Sequence, residues 1–206
     1  MQRLNLGSGE FPKPGFINVD YYSFTPPDVC HDLNVFPYPF EDNAFDLVES
    51  DHCLEHLKDP FAVMREIHRI TKPGGIVRIR VPHFSRGFTH ADHKRGFDVT
   101  FPYYFDPTFR GGYMGVHFRV QQVRLTWFAQ PYLKRTVLSP WAFYGAIVVG
   151  KVIDFFANLS PFLASRLWCF WVGGFEEIFF EFTVVKEIPP SLSLHEERRG
   201  ASAVLP

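Results

Sequence analysis

The chain has 206 residues, a formal net charge of −1, 46% hydrophobic residues and 21% charged residues. This length can bury a full hydrophobic core in a single domain, and the near-average composition excludes global disorder. Because basic and acidic residues are balanced, the chain as a whole lacks the excess positive charge that favours binding to nucleic acid. No nucleic-acid partner is therefore expected.

The first 82 residues alternate between short apolar strands and one helix. A helix is predicted from Phe61 to Ile70, because apolar residues recur there at helical spacing and Lys72-Pro73-Gly74-Gly75 stops it. Such alternation predicts a Rossmann-like α/β fold, a mostly parallel sheet with helices on both faces. The predicted strands are residues 3–6, 16–20, 29–33, 43–50 and 76–81.

The rest of the chain adds two late strands and an apolar insertion. Alternating residues predict strands at 118–128 and 177–186, the latter antiparallel, and a helical aromatic insertion at 136–175 separates them. We therefore expect one domain over residues 1–188. The mixed Ser, Glu and Arg composition of residues 189–206 predicts a loose C-terminal tail.

The strongest motif is a glycine turn, Leu4-Asn5-Leu6-Gly7-Ser8-Gly9, directly after the first strand. Glycines there let the backbone approach a ligand that a Cβ would exclude. Asp20 ends the second strand and can accept both hydroxyls of a ribose, while Asp32 ends the third strand and is placed to accept from an adenine amino group. Together these residues predict a nucleoside pocket at the carboxyl ends of neighbouring strands.

The spacing argues against a dinucleotide site. A dinucleotide motif has a third glycine, a helix that holds pyrophosphate and an acid about 20 residues on. Here Asp20 follows Gly9 by eleven residues, and Pro12 and Pro14 leave no room for a full crossover helix. A nucleotide-dependent oxidoreductase is therefore disfavoured.

In order and spacing, the motifs of residues 2–82 resemble those of class I S-adenosylmethionine-dependent methyltransferases of the small-molecule type. The resemblance implies S-adenosylmethionine as the cofactor. Two features depart from the family pattern: Asn5 stands where an acid is frequent, and Phe11 stands where a third glycine is frequent. The resemblance is carried by the glycine turn, Asp20, Asp32-Leu33, Phe45-Asp46-Leu47-Val48, Leu54-Glu55-His56-Leu57 and Lys72-Pro73-Gly74-Gly75.

The resemblance also implies roles for individual residues. Gly7 and Gly9 would pass under the methionine part, and Asp20 would hold the ribose. Asp32 and Leu33 would frame the adenine, and residues 51–52 would line the site after the fourth strand. The expected cofactor-binding set is Asn5, Gly7, Ser8, Gly9, Asp20, Tyr21, Asp32, Leu33, Asp51 and His52.

A histidine-rich segment follows the fifth strand, where loops face the ligand. Histidine can take a proton from a hydroxyl as a methyl group arrives, so His93 is predicted as the general base, with His83 second. Arg95 is predicted to orient an anionic or hydroxylated substrate.

Two other interpretations of this segment stay open. The group His90, Asp92 and His93 could bind a metal with His83 or His117, since these residue types suit several divalent ions. Such clusters in loops more often form hydrogen bonds, and no metal site is expected. The histidines could also simply tie the loop to the sheet.

The aromatic insertion at 136–175 carries three charges, Lys151, Asp154 and Arg166. Lys151, Asp154 and Asn158 form one narrow polar stripe on an otherwise apolar helix. This segment could wall an apolar substrate pocket, form a homodimer surface or lie in a membrane interface. The thin basic face places the first two ahead of peripheral membrane contact, and a spanning helix is not expected.

The sequence thus predicts methyl transfer from S-adenosylmethionine to a small-molecule, glycan or lipid-linked acceptor, at oxygen rather than carbon. A non-catalytic cofactor-binding or membrane-associated scaffold of the same fold is the alternative. Three scattered cysteines and the absence of a charged-then-apolar N-terminal segment predict a cytoplasmic protein, with peripheral membrane contact as an open addition.

Overall fold

A computed structural model describes residues 1–21, 25–87 and 90–186, so the predicted tail at 189–206 lies outside the described residues. Seven strands form one sheet in the order β3-β2-β1-β4-β5-β7-β6. The strands are β1 (Arg3–Leu6), β2 (Ile17–Asp20), β3 (Val29–Cys30), β4 (Phe45–Asp51), β5 (Thr71–Pro82), β6 (His117–Thr126) and β7 (Glu177–Val185).

Five helices and three 3₁₀ turns connect these strands in the described part of the chain. The Asp59 side chain begins α1, where it accepts the backbone N–H groups of Phe61 and Ala62. The helices are α1 (Pro60–Ile70), α2 (Phe84–Gly87), α3 (Pro131–Lys134), α4 (Pro140–Ala157) and α5 (Pro161–Arg166), and the 3₁₀ turns are Leu54–His56, Phe101–Phe105 and Trp168–Phe170.

The strand directions confirm the predicted Rossmann-like, mostly parallel sheet with antiparallel late strands. The first five strands pair in parallel, whereas β7 runs antiparallel to both β5 and β6. The apolar helical insertion lies between β6 and β7 as predicted. The parallel order places the carboxyl ends of β1, β2, β3 and β4 side by side, where open α/β sheets bind ligands.

One face of the sheet forms the hydrophobic core. Alternate residues of each strand point into it, and α1 covers it with Val63, Met64 and Ile67. Aromatic residues fill its far end, because β7 supplies buried phenylalanines that meet the 3₁₀ turn Phe101–Phe105. The buried strand residues include Leu4, Leu6, Val77, Ile79, Val81, Ile178, Phe180 and Phe182.

The opposite face carries a row of polar residues in cross-strand register. Asn18 pairs with Asn5, and Asn5 with Glu49. The row continues through Arg78 to Glu181. Arg78 binds Glu181 at 2.6 Å and Glu49 at 3.3 Å, so neighbouring strands carry opposite charges. Opposite charges directly across a sheet stabilise the pairing by a few tenths of a kcal/mol to about 1 kcal/mol each.

The two phenylalanines on opposite faces of β7 allow a matched test of where the core lies. Phe182 is fully buried against Phe105 and Phe118, whereas Phe179 is half-buried over the Arg80 guanidinium. Phe182→Ala should lower the free energy of unfolding by about 3–5 kcal/mol, and Phe179→Ala should lower it by clearly less. Denaturant unfolding measures both, and equal losses would contradict this assignment of the two faces.

Candidate functional site

The glycine turn after β1 is held against the turn that follows β4. The backbone N–H groups of Gly7 and Ser8 both donate to the Val19 carbonyl, at 2.9 and 3.1 Å. Gly7 has φ +72°, and a Cβ there would lie 2.4 Å from the Cys53 Sγ. Glycine is therefore required at position 7 by the backbone conformation and by the close approach of Cys53.

Gly9 and Asp20 form the open side of this turn. Gly9 has φ +50°, and the position of an added Cβ meets no atom within 4 Å. Its N–H donates to the Asp20 Oδ2 at 2.8 Å, which fixes the carboxylate at the end of β2 beside that space. A carboxylate held at a strand end beside open space suits the ribose hydroxyls of a nucleoside.

The adenine side of the predicted pocket lies at the end of the neighbouring strand. Asp20 is in register with Cys30, so Asp32 and Leu33 follow close to it. Hydrogen bonds from the backbone and side chain of Asn34 hold the pKa of Asp32 below its usual value, so its carboxylate is ionised at neutral pH. Leu33 is buried, and Tyr21 is exposed beside the end of β2.

Asn5 and Ser8 occupy supporting positions in the structure. Both are buried. The Asn5 Nδ2 donates to the Asn18 Oδ1 at 2.9 Å, and the backbone N–H of Lys13 donates to the same oxygen at 2.7 Å. Asn5 therefore fixes the loop of residues 7–16 from behind, and its predicted contact with the cofactor stays a prediction.

Asp51 and His52 are engaged with charged neighbours. Asp51 binds Lys13 and Arg80, each at 2.8 Å, and although burial opposes its charge these hydrogen bonds hold its pKa below the usual value. His52 has φ +50° and its Nε2 lies 2.8 Å from the Glu177 Oε2. Burial disfavours its charge, but the carboxylates of Glu177 and Glu55 outweigh burial and raise the pKa of His52 to about 9.

Lys13 is a residue that sequence reasoning missed. Its ammonium reaches both Glu49, at 2.6 Å, and Asp51, at 2.8 Å, and so ties the loop after β1 to β4. The one available signal was its position between Pro12 and Pro14, which restrict the backbone on either side.

His83, the second candidate for the general base, is fully buried. Its Nε2 lies 2.8 Å from the Ser165 Oγ, and Ser165 in turn donates to Asp98. Its Nδ1 accepts from the backbone N–H of Ser85. Burial lowers the pKa of His83 to about 4. These contacts favour a structural role, and the predicted catalytic role stays a prediction.

Hydrogen bonds hold the histidine-rich segment against the turn after β4. The Lys94 N–H donates to the Glu55 carbonyl at 3.0 Å, and the Arg95 Nη2 donates to the Lys58 carbonyl at 2.8 Å. His93 Nδ1 lies 2.6 Å from the Gly87 carbonyl. Because a carbonyl only accepts, Nδ1 carries the proton and the His93 Nε2 keeps a lone pair, as a general base requires.

Comparisons with known proteins identify the segment that the motifs occupy. Residues 17–79 match the family model for a methyltransferase domain. A segment of 44 residues is 48% identical to an uncharacterized methyltransferase from Schizosaccharomyces pombe, covering 21% of this chain and 16% of that protein. A segment of 43 residues is 46% identical to a demethylmenaquinone methyltransferase from Geobacillus stearothermophilus, covering 21% of this chain and 18% of that protein. The matched segments thus span less than a fifth of these relatives.

Two solved structures share the fold along most of the chain. The YcgJ protein from Bacillus subtilis superposes with a TM-score of 0.52 at 14% identity, covering 90% of this chain and 92% of that one. A candidate methyltransferase from Bacillus halodurans gives a TM-score of 0.52 at 12% identity, covering 90% of this chain and 93% of that one. The predicted Rossmann-like fold is thereby confirmed, and residues 17–79 carry the resemblance to a methyltransferase domain. The domain match supports S-adenosylmethionine as the cofactor.

Removing the Asp20 carboxylate tests the nucleoside pocket. Asp20→Ala should weaken binding of S-adenosylhomocysteine by roughly 1–3 kcal/mol, because ribose hydroxyls would lose their acceptor. Isothermal titration measures the affinity, with Glu41→Ala, an exposed carboxylate in the loop before β4, as the control. Unchanged affinity in a folded Asp20→Ala protein would remove Asp20 from the pocket.

The buried His83 predicts an acid-sensitive contribution to stability. Its pKa is about 4 in the folded chain against an ordinary value of 6.5, so the unfolded state binds more protons between these values. The free energy of unfolding should therefore fall as pH drops through this window, by up to about 1.4 kcal/mol per pH unit from this residue.

Denaturant unfolding from pH 7 to pH 4 measures this slope. His83→Asn should flatten it, whereas His90→Asn, at an exposed histidine, should leave it unchanged. The negative charge of Asp98 raises the pKa of His83, but this effect is smaller than that of burial. The pKa of His83 therefore stays below its ordinary value. The same slope in His83→Asn as in the wild type would show that His83 does not titrate this way.

Proposed function

We propose that this protein binds S-adenosylmethionine and transfers its methyl group to an oxygen of an apolar or lipid-linked acceptor. One observation carries the proposal: the turn of residues 52–56 joins the predicted cofactor pocket to the histidine segment. Cys53 packs against Gly7 on one side, and Glu55 binds the backbone of Lys94 on the other. The residues thus meet the two needs of methyl transfer, which are alignment and a proton acceptor.

The residues fit the cofactor. The open space at Gly9, the carboxylate of Asp20 and the buried Leu33 supply a cradle, a ribose acceptor and an apolar wall. When bound, the cofactor supplies an electrophilic methyl group on a sulfonium. The chain's own part is to hold the acceptor in line and to take its proton, which we assign to the lone pair of His93 Nε2.

The acceptor class follows from the surface of α4 and its neighbours. Two of the three residues of the polar stripe face inward, whereas Lys151 is exposed. Asp154 accepts the backbone N–H of Trp127 at 2.7 Å, and Asn158 exchanges hydrogen bonds with the backbone of Leu125. The helix therefore turns its apolar side outward, the reverse of an ordinary surface helix. It is long and apolar enough to cross a membrane by length and composition, and 17% of it is buried.

The exposed apolar face is large and rich in aromatic residues. Trp141 is 91% exposed and Trp171 is 84% exposed. Exposed large apolar side chains concentrated in one segment indicate an interaction surface. The other large exposed members of this face are Tyr144, Val148, Val152, Phe155, Phe156, Leu159, Phe162, Leu163, Leu167 and Phe170.

We assign this face to the surface of a lipid bilayer. Tryptophan and tyrosine favour the membrane interface, and exposed cations attract anionic headgroups. Arg135 and Lys151 are exposed in this region, whereas the one acid of residues 131–175, Asp154, is turned inward. The outward orientation does not suit the wall of a substrate pocket, and the hydrogen bonds to β6 hold α4 beside the domain, as peripheral attachment requires.

Vesicle binding tests this surface. The wild type should bind vesicles of phosphatidylcholine with phosphatidylglycerol more tightly than vesicles of phosphatidylcholine alone. Phe155→Ser with Phe156→Ser should lower binding at least tenfold, because two phenylalanines bury about 3 kcal/mol or more of apolar transfer energy. Val35→Ser with Tyr103→Ser, at exposed apolar residues elsewhere, is the matched control. A lipid-free dimer that the first pair disrupts would assign the face to a second copy instead.

His93→Ala tests the assigned proton acceptor. Turnover with hydroxylated acceptors, followed by transfer of labelled methyl from S-adenosylmethionine, should fall about 10²–10⁴-fold. Affinity for S-adenosylhomocysteine should stay within about twofold of the wild type, because His93 lies outside the cofactor cradle. Exposed His90 provides the control variant His90→Ala. Equal loss of binding and turnover would make His93 a structural support.

A cofactor-binding scaffold without turnover remains the second candidate, favoured by the supporting roles of Asn5 and Asp51 in the structure. Tight binding of S-adenosylhomocysteine, no binding of NAD and no methyl transfer to any hydroxylated acceptor would select it.

A further inference from the structure

Glu55 is a buried carboxylate whose nearest charged neighbour in the described part of the chain is the His52 imidazole, with Nδ1 3.4 Å from Oε1. Its exposed fraction is 0%, and neither oxygen has a hydrogen-bond partner in the described part of the chain. An ionised carboxylate in this position is costly unless an opposite charge compensates it. The groups around Glu55 therefore indicate which positive partner would compensate its charge.

The His93 ring approaches Glu55 from the histidine-rich segment. His93 Nε2 lies 3.9 Å from the Glu55 Oε1, and its protonated Nδ1 donates to the Gly87 carbonyl at 2.6 Å. Two acceptors that face each other at this distance repel unless a cation or a proton lies between them. Either a proton or a bound cation would therefore complete this pair.

His56 completes the group. Its Nδ1 lies 3.0 Å from the Asp92 carboxylate, which orients the ring as a proton donor on that side and leaves Nε2 as an acceptor. The ligand atoms offered by Glu55, His56 and His93 all lie within 4.8 Å of one another. A histidine that donates one ring N–H to a carboxylate or carbonyl is the usual outer support of a metal-ligating histidine, and both histidines have it.

His52 is the nearest competing cation. Its Nδ1 lies 3.4 Å from the Glu55 Oε1, while its Nε2 is bonded to Glu177 at 2.8 Å. This contact offsets part of the Glu55 charge, but it leaves the lone pairs of His56 and His93 without a positive partner.

We propose that Glu55, His56 and His93 bind one divalent transition-metal ion. Two imidazoles and one carboxylate suit zinc and several other first-row divalent ions. Three protein ligands leave coordination positions open, and the half-exposed His56 side chain gives the centre access from solvent. The sequence predicted no metal here, because Glu55 and His56 belong to a turn distant in sequence from His93.

The open positions suit an oxygen ligand such as an acceptor hydroxyl, which the metal would make more acidic. This role rests on the proposed function and replaces the general-base role of His93, because a metal-bound Nε2 has no lone pair left for a proton. The acidified hydroxyl would then release its proton to solvent at the open side of the centre. The binding of the ion does not rest on that function.

Metal titration of the chelator-treated full chain tests the site. Zn²⁺ measured by calorimetry, and Co²⁺ followed by its visible absorption, should each bind at one ion per chain. Glu55→Gln, which keeps the side-chain shape, should weaken binding at least 100-fold and remove the increase in melting temperature that Zn²⁺ produces. His56→Ala, at a half-exposed residue, gives a second variant if Glu55→Gln does not fold.

His90→Ala separates this centre from its exposed neighbour. His90, Asp92 and His93 form a second close group, but His90 and Asp92 are exposed and already bonded to each other at 2.7 Å. His90→Ala should bind the metal as the wild type does. A loss in His90→Ala that matches the loss in Glu55→Gln, or wild-type binding in Glu55→Gln, would overturn the proposal.

A parallel titration of the metal-free protein with S-adenosylhomocysteine distinguishes the two proposals. Binding of the nucleoside without binding of Zn²⁺ or Co²⁺ overturns the metal site alone. Binding of either metal at the three residues without binding of the nucleoside supports the metal site and overturns the proposed cofactor.

Discussion

The close contact between the turn after β1 and the turn after β4 is the constraint on which the site depends. Gly7 has no Cβ, so Cys53 can pack directly against its backbone. Any side chain at position 7 would push the two turns apart. The contact sets where Gly9 and Asp20 open towards a ligand, and it fixes the start of the turn that carries Glu55 and His56. One glycine thus places two groups of functional residues relative to each other.

Polar residues stabilise this arrangement from behind. Asn5 and Asn18 hold the loop that follows β1, and Lys13 ties it to two carboxylates of β4. A loop of ten residues replaces the crossover helix in this position, so the sheet face beneath it is covered by charge pairs instead of apolar side chains. Asn5 stands where the family that this chain resembles often has an acid. Its neutral amide supports the loop after β1 through its hydrogen bond to Asn18.

In the aromatic insertion, α4 is oriented opposite to an ordinary surface helix. Asp154 of α4 and Asn158 directly after it bind the backbone of Trp127 and Leu125 at the end of the edge strand β6. Their hydrogen bonds satisfy an edge that would otherwise be exposed, and the apolar residues are turned away from the domain. In the proposed function a bilayer surface would give those residues an apolar environment and would bring a lipid-linked acceptor to the same protein.

The sequence by itself determined the strands, α1, the antiparallel late strand and the resemblance carried by residues 2–82, because these features depend on local periodicity and on spacing along the chain. It also placed Asp20 and Asp32 at neighbouring strand ends. Only the tertiary structure decided that His83 is buried between serines, that Asp154 and Asn158 face inward and that Glu55 meets His93. These outcomes depend on contacts between residues 27 to 82 positions apart, which no local pattern encodes.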